Sequence, residues 1–416
     1  MTSSYDLLII GAGPAGLMAA AQASYLGASV LLVEKNKQPA LKLLITGGGR
    51  CNITNLNFRN IREFAAFYKP ADSFLLPAFS RFGPLETIDF FAKENLALVE
   101  EDNYRVFPGQ GKARSVLNCL LDKINKQGGE ILLDSSVKEV LVSKSDKRKI
   151  EKVKLANGDF ISAKNFLIAT GGKSYPSTGS SGDGYSWLKK LGHRIISPYP
   201  ALVAIKLKEK FIKDLEGLSF SNIKISFLNF NKKIISESGD IIFTTNAISG
   251  PAALNLSRFL TKSDFNKKLI IDFFPQKSND DLNNFLQQLF HKGKKSLKNA
   301  LAEILPLRFV NVFVNILKIE ANSLANSLSR ENRNLIVKNL KEFELSLISN
   351  DNFDKAMVAS GGLSLSEINA KNFKSKLFTN LYCAGEVLDI VGPTGGFNLQ
   401  LAWTSGFLVA EDVVKE

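Results

Sequence analysis

Blocks of different hydrophobic period follow one another along the chain, and each predicts an element. Tyr5 to Ile10 is apolar apart from Asp6, as in a buried strand, and Pro14 to Leu26 carries small apolar residues at helical spacing. Ser29 to Glu34 is a second apolar run, closed by an acid. Strand, helix and strand in this order form a βαβ opening. Glu86 to Glu94 and Arg114 to Gln127 have helical periodicity, whereas Glu130 to Val142 and Lys149 to Leu155 read as strands. Asn165 to Gly172, NFLIATGG, is a buried strand entering a glycine turn, with a helix-like YSWLKKLGH after it.

The middle of the chain changes character. Between Ala201 and Phe274 the short runs NIKISFL, KKIIS, DIIFTT and KLIIDFF predict β structure, and Asp280 to Ile348 predicts several helices. A glycine-rich α/β tail follows. The fold class expected is α/β: a Rossmann-like domain built from both chain ends, 1–193 and 351–416, with an inserted β-rich domain at 194–275 and an inserted helical domain at 276–350.

Composition narrows the chemistry. The chain has 416 residues, 45% hydrophobic and 22% charged, without low-complexity tracts, which describes an ordinary globular protein of two or three domains. Leu7 to Val33 is uncharged and long enough to imitate a membrane span or signal peptide, but Gly11, Gly13, Pro14, Gly16 and Gly27 divide it and no basic segment precedes it. Charges interrupt every later apolar run, so a soluble, cytoplasmic protein with no membrane partner is expected. Cys51, Cys119 and Cys383 lie far apart, and His193 and His291 are the only histidines. No metal site, dithiol or Ser-His-Asp triad is expected, so a non-protein group should carry the chemistry. The net charge is +13, and residues 205–350 hold 22 Lys or Arg against 14 Asp or Glu. The lysines are scattered and HKGKKSLK at 291–298 reads as a solvated helix face, so nucleic acid is disfavoured as a partner.

The motifs supply that group. Gly11-Ala-Gly-Pro-Ala-Gly16 joins a strand to a helix; its glycines allow a tight turn, close approach of a pyrophosphate and close helix–strand packing. Glu34 ends the next strand, where a carboxylate accepts hydrogen bonds from ribose hydroxyls. FAD and NAD remain alternatives at this point. Thr46-Gly-Gly-Gly-Arg-Cys-Asn-Ile-Thr-Asn55 is a glycine run able to approach a flat ring or a phosphate, with Arg50 as a counter-charge. Ala169-Thr-Gly-Gly172 resembles the second strand end of glutathione-reductase-like flavoproteins, and Ser177 to Gly184 resembles the T-G-D-G loop of fumarate-reductase-like ones. Tyr382-Cys-Ala-Gly-Glu-Val-Leu-Asp389 is similar to their C-terminal FAD motif. Gly392-Pro-Thr-Gly-Gly-Phe-Asn398 then opens a helix whose N-terminus can stabilise negative charge on a reduced flavin.

Taken in order, GAGPAG, TGGGRCNITN, ATGGKSYPSTGSSGDGY, FTTNAISGPAALNLS and GEVLDIVGPTGGFNLQLAW resemble the BaiN/YhiN-type family of bacterial FAD-binding oxidoreductases over essentially the whole chain. The resemblance implies an FAD domain assembled from both ends around a barrel-like and helical insertion. It implies cofactor contacts at Gly11, Gly13, Ala15, Gly16, Glu34, Lys35, Thr46, Gly47, Gly49, Arg50, Cys51, Asn52, Val137, Ala169, Thr170, Gly171, Gly385, Glu386, Asp389, Gly395, Gly396 and Asn398. No side chain stands out as a general acid or base. The function expected is hydride transfer between a small organic substrate and the flavin, with NAD(P)H as a transient electron donor. An FAD-containing RNA-modifying or nucleic-acid-binding protein is the alternative, ranked behind it. A flavin-dependent redox sensor is a third reading, whose only hint is Cys51.

Overall fold

The computed structural model describes residues 5–228, 234–261, 264, 267–348 and 352–415. Strand β1 (Tyr5–Ile10) pairs in parallel with β2 (Val30–Val33), and helix α1 (Pro14–Tyr25) crosses between them. Strands Phe160–Ile168, Leu381–Cys383 and Glu130–Leu132 extend the same sheet in parallel. A parallel sheet is covered on both faces, which is why Leu7–Ile10 and Val30–Val33 are apolar at every position and buried.

Helix α1 is built of small residues because another helix lies against it. The C-terminal helix Phe397–Lys415 comes so close that a Cβ on Gly406 would stand 2.2 Å from the Ala15 carbonyl oxygen. The tail therefore completes the first unit, which comprises Met1–Pro200 and Asn352–Glu416. Its inner limit passes 193 because the strand starting at Ile195 pairs with Val358–Leu363.

Other local expectations change in detail. The run 130–142 is two strands, Glu130–Leu132 parallel to β2 and Val137–Val142 antiparallel to Ile150–Leu155. The break falls at Asp134, which takes φ +54°. A three-stranded antiparallel sheet, Thr54–Asn55, Arg105–Pro108 and Leu98–Glu101, has no counterpart in the sequence reading. Its strands are too short for a period to register, and long-range pairing forms them.

The second unit is Ala201–Asp351. Its six-stranded antiparallel sheet runs Ile205–Lys206, Ala247–Ser249, Ile234–Thr244, Ser219–Leu228, Lys268–Asp272, Phe343–Ser346. The edge strands meet through an antiparallel Leu207–Leu347 bridge, with the Lys208 amide donating to Ser346 O at 3.0 Å and the Ile348 amide to Lys206 O at 3.1 Å. The sheet thus closes into the barrel-like form that the family resemblance implies.

The structure does not separate 194–275 from 276–350. Strand Phe343–Ser346 belongs to the barrel sheet, and the helix Leu307–Leu317 inserts Phe309 among Phe220, Phe273 and Phe343, with ring centroids 4.8 to 5.8 Å apart. One core spans both segments. Lys232 and Lys233 of the KKIIS run, and the boundary at 350 and 351, lie outside the described residues. No helix of the described residues is long and apolar enough to cross a membrane, and none of their acidic, His and Cys side chains group as a metal site would require.

Candidate functional site

The turn from β1 into α1 is shaped by backbone contacts. The Gly11 amide donates to Val33 O at 2.8 Å, and a Cβ on Gly16 would lie 2.0 Å from Gly11 O, so no side chain fits at 16. Gly13 differs: a Cβ there would meet nothing nearer than Ala169 O at 4.0 Å. Its open side is where a pyrophosphate has room to approach, at the positive end of α1. Ala15 faces Gly385, since a Cβ on Gly385 would lie 3.0 Å from that of Ala15, and Ala169 closes against Gly11. Gly11, Gly13, Ala15, Gly16, Ala169 and Gly385 are thus brought together at the carboxyl ends of the parallel strands.

Glu34 is buried and held rigidly. Its Oε2 accepts from the Ala12 amide at 2.8 Å, and Oε1 accepts from the Asn36 amide at 2.9 Å and Asn36 Nδ2 at 2.7 Å. Val137 follows two residues after Ser135, whose amide donates to Glu34 O, which places it at the same end. Lys35 turns to the Ser177–Gly184 loop, donating to Ser181 Oγ and pairing with Asp183 at 2.7 Å.

The glycine segment after β2 divides its candidates. Thr46 Oγ1 donates to Leu43 O at 2.6 Å, while Gly47 lies beside Phe107 and Asn52. Arg50 forms a two-pronged ion pair with Glu101 and stacks over Phe107 at 4.3 Å. Its charge is spent on that pair. Cys51 is fully buried, and burial pushes its thiol up to about 12, so it carries no reactive thiolate and the hint of a redox sensor weakens.

Asn52 Oδ1 is buried without a hydrogen-bond partner, and so is Thr170 Oγ1 at the end of strand Phe160–Ile168. Gly396, at φ +103°, faces Asn52: a Cβ there would stand 2.6 Å from Thr54 O and 2.9 Å from Asn52 Oδ1. Asn398 closes the loop before the C-terminal helix, accepting from the Gly392 amide at 2.9 Å and donating to Gly392 O and Pro393 O. Asn55 Nδ2 pins Gly395 O at 2.9 Å. The helix behind this loop has 19 residues, so its N-terminal amides present a full helix dipole toward Asn52.

Several residues of the site escaped the sequence reading. Lys42 pairs with Glu386 at 2.6 Å and also donates to Ser174; Glu386 Oε1 accepts from Ser174 Oγ at 2.6 Å and the Ala359 amide at 3.0 Å. Tyr185 donates to Glu386 O at 3.3 Å. Burial, then the negative charges of Glu386 and Asp389, push the Tyr185 hydroxyl well above its ordinary value. Burial likewise raises Asp389, although the Gly361 amide donating at 3.0 Å opposes it. Gln400 is fully buried in a chain linking Thr54, Thr87 and Thr404, which fixes the glycine segment to the C-terminal helix. Ser174 sits inside a motif quoted above and Lys42 four residues before another, but only tertiary contact reveals their shared partner.

His193 stands apart from this site. Its Nδ1 meets Glu367 at 2.8 Å and its Nε2 meets Ser375 Oγ at 3.0 Å, a serine–histidine–carboxylate line. Ser375 Oγ already accepts from the Leu377 and Phe378 amides, each at 3.0 Å, so it caps a turn and is no nucleophile.

The residues present fit FAD. Two buried polar atoms without partners, an open face at Gly13 and a fixed carboxylate at Glu34 are what a bound dinucleotide would complete. Asn52→Ala should weaken FAD binding by about 5- to 150-fold, the value of a buried hydrogen bond worth about 1–3 kcal/mol. The apo protein should melt no lower, because Oδ1 gains nothing there; a calorimetric titration and an apo melting curve check both parts.

Comparison with known proteins agrees with this geometry. A family model described as the HI0933-like protein Rossmann domain matches residues 5–412. The ribosomal RNA dihydrouridine synthase of Haemophilus influenzae is 30% identical, covering 100% of both chains. That of Escherichia coli is 29% identical, covering 99% of this chain and 98% of the relative. The 3-dehydro-bile acid delta(4,6)-reductase of Clostridium scindens is 28% identical over 96% of this chain and 97% of its own. Among solved structures, the 3-ketosteroid-delta4-(5alpha)-dehydrogenase of Rhodococcus jostii RHA1 aligns with a TM-score of 0.57 at 12% identity, covering 99% of this chain and 97% of that one, a likeness of fold. The chain belongs to the HI0933-like FAD-binding Rossmann family and is a flavin-dependent oxidoreductase.

Proposed function

We propose that the protein reduces a carbon–carbon double bond conjugated to a carbonyl, and that the bond is the 5,6 bond of a uracil in ribosomal RNA. The observation that carries this reading is the end-to-end similarity to two proteins named ribosomal RNA dihydrouridine synthase. The name of the bile acid relative also denotes removal of double bonds, so one chemistry unites the three. An RNA substrate agrees with the net charge of +13. The small organic substrate expected from the motifs uses the same chemistry, and the bile acid relative favours it.

FAD, once bound and reduced, would supply a hydride to the electron-poor alkene carbon while a proton from solvent went to the neighbouring carbon, with NAD(P)H as the proposed reductant of the flavin. The chain binds and orients the rest. Glu34, fixed by the Ala12 amide and by the backbone and side-chain amides of Asn36, has one acceptor position left, on Oε2, for a ribose hydroxyl. Asn52 Oδ1 and Thr170 Oγ1 gain the partners they lack, and the N-terminus of the C-terminal helix favours negative charge at the ring. Tyr185 keeps its proton at Oη, while Lys42 and Ser174 hold the Glu386 carboxylate in one orientation.

The test is anaerobic incubation of the FAD-loaded protein with NADH or NADPH and unmodified ribosomal RNA, followed by mass spectrometry for dihydrouridine. Bleaching of the flavin followed by dihydrouridine formation is expected. A saturated product from a 3-keto-4,6-diene steroid, with none from RNA, would replace the RNA reading by the small-substrate one.

A further inference from the structure

The run 291–298 is not one helix face, because residues 292–296 form a loop between two helices. Helix Asn279–His291 ends on its first residue and helix Leu297–Leu301 begins at its last two; between them the chain runs antiparallel to residues 321–325. The Leu297 amide donates to Ser323 O at 2.8 Å, Lys298 to Ala321 O at 3.0 Å and Ala325 to Lys295 O at 2.9 Å, around a Ser296–Leu324 bridge. These bonds fix the loop, so its lysines are presented from a defined surface.

Lys292, Lys294 and Lys295 are exposed and Lys298 is half-exposed; Lys318, exposed, precedes the facing segment by three residues. The acids nearby in the chain are Glu303, paired with Lys295 at 2.5 Å, and Glu320. The hydrogen bond from Lys295 holds the Glu303 carboxyl below its ordinary range, and the charge of Lys292 adds to the effect, so Lys292 faces the same spot. Among the described residues Lys292, Lys294, Lys298 and Lys318 have no ion-pair partner. Exposed amide side chains, Asn299, Asn322 and Asn326, lie between the charges, with Leu324 the exposed apolar residue among them.

We propose that this lysine surface of the second unit holds the phosphate backbone of the RNA substrate. The inference rests on the RNA reading of the function. Unpaired ammonium groups neutralise phosphates and release counterions, and amides hydrogen-bond to phosphate and sugar oxygens; neither needs a base sequence. A surface carrying one exposed leucine and three amides suits a polyanion in water better than a lipid headgroup layer, where apolar and aromatic insertion would be expected.

The experiment compares the FAD-loaded full chain with Lys292→Glu/Lys294→Glu/Lys298→Glu, using fluorescence anisotropy of a labelled oligouridylate over a salt series. The milder glutamine triple variant guards against misfolding, and FAD content monitors the first unit. Binding at low salt should weaken at least about tenfold, and the slope of log K against log salt should fall by about two in the glutamine variant, the single-strand value for three charges. Equal binding and equal slopes would overturn the proposal even if the wild type forms dihydrouridine. Loss of oligouridylate binding in a protein that forms no dihydrouridine would keep this surface and sink the RNA-reductase reading instead. Tighter binding to phosphatidylglycerol vesicles than to oligouridylate, lost in the same variants, would assign the surface to a membrane and overturn the proposal.

Discussion

Gly16→Ala should purify colourless, with its affinity for added FAD lowered by at least about 100-fold, or about 2.8 kcal/mol. The methyl group would stand 2.0 Å from Gly11 O, and the obstacle is backbone, which cannot rotate away as a side chain does. Either the turn opens or α1 moves off the sheet. Opening the turn removes the open face at Gly13 proposed to meet the pyrophosphate; moving α1 disturbs its packing against the C-terminal helix, where Gly406 already admits no Cβ. The flavin absorbance of the purified variant, together with a titration of added FAD, measures the effect. Retention of wild-type FAD content would mean that the cofactor is not held at this turn.

Phe309→Ala should cost about 3–5 kcal/mol, the usual range for emptying a buried aromatic site. Phe309 is fully buried, and its ring meets Phe220, Phe273, Phe313 and Phe343 with centroids 4.8 to 5.8 Å apart. Those four come from two barrel strands, the segment after a third, and the helix that carries Phe309, so no single element can collapse to fill the void. Denaturant unfolding followed by far-UV circular dichroism reads the loss. The folded fraction should keep its FAD, because every candidate cofactor residue belongs to the first unit. Loss of FAD at concentrations where the protein remains folded would contradict that separation.

Much of the cofactor unit is legible in the sequence because its information is local. A continuous apolar strand, a glycine turn and a helix of small residues admit few other arrangements, and Glu34 follows at the distance that the unit requires. The C-terminal motifs are legible for the same reason. The Thr54, Arg105 and Leu98 strands are not, since two to four residues carry no usable period. Lys42 is also silent. Its partners Ser174 and Glu386 lie 132 and 344 residues away, and no spacing rule connects them. The separation of the inserted region into β and helical domains follows its composition correctly but misreads its core, because Phe309 and Phe343 of the helical stretch complete the interior of the barrel.

The C-terminal helix carries a consequence for biosynthesis. The strands and turn of the βαβ opening leave the ribosome early, yet Gly396, and the helix that packs on α1, are made only after the whole barrel unit. Until that segment is made, a nascent chain lacks the Gly396 side of the proposed cofactor site, and the face of α1 that meets Gly406 is uncovered. Stable FAD capture is therefore expected only after Phe397–Lys415 has been made. Chains that stop before Phe397 should retain FAD poorly and present an apolar surface to chaperones.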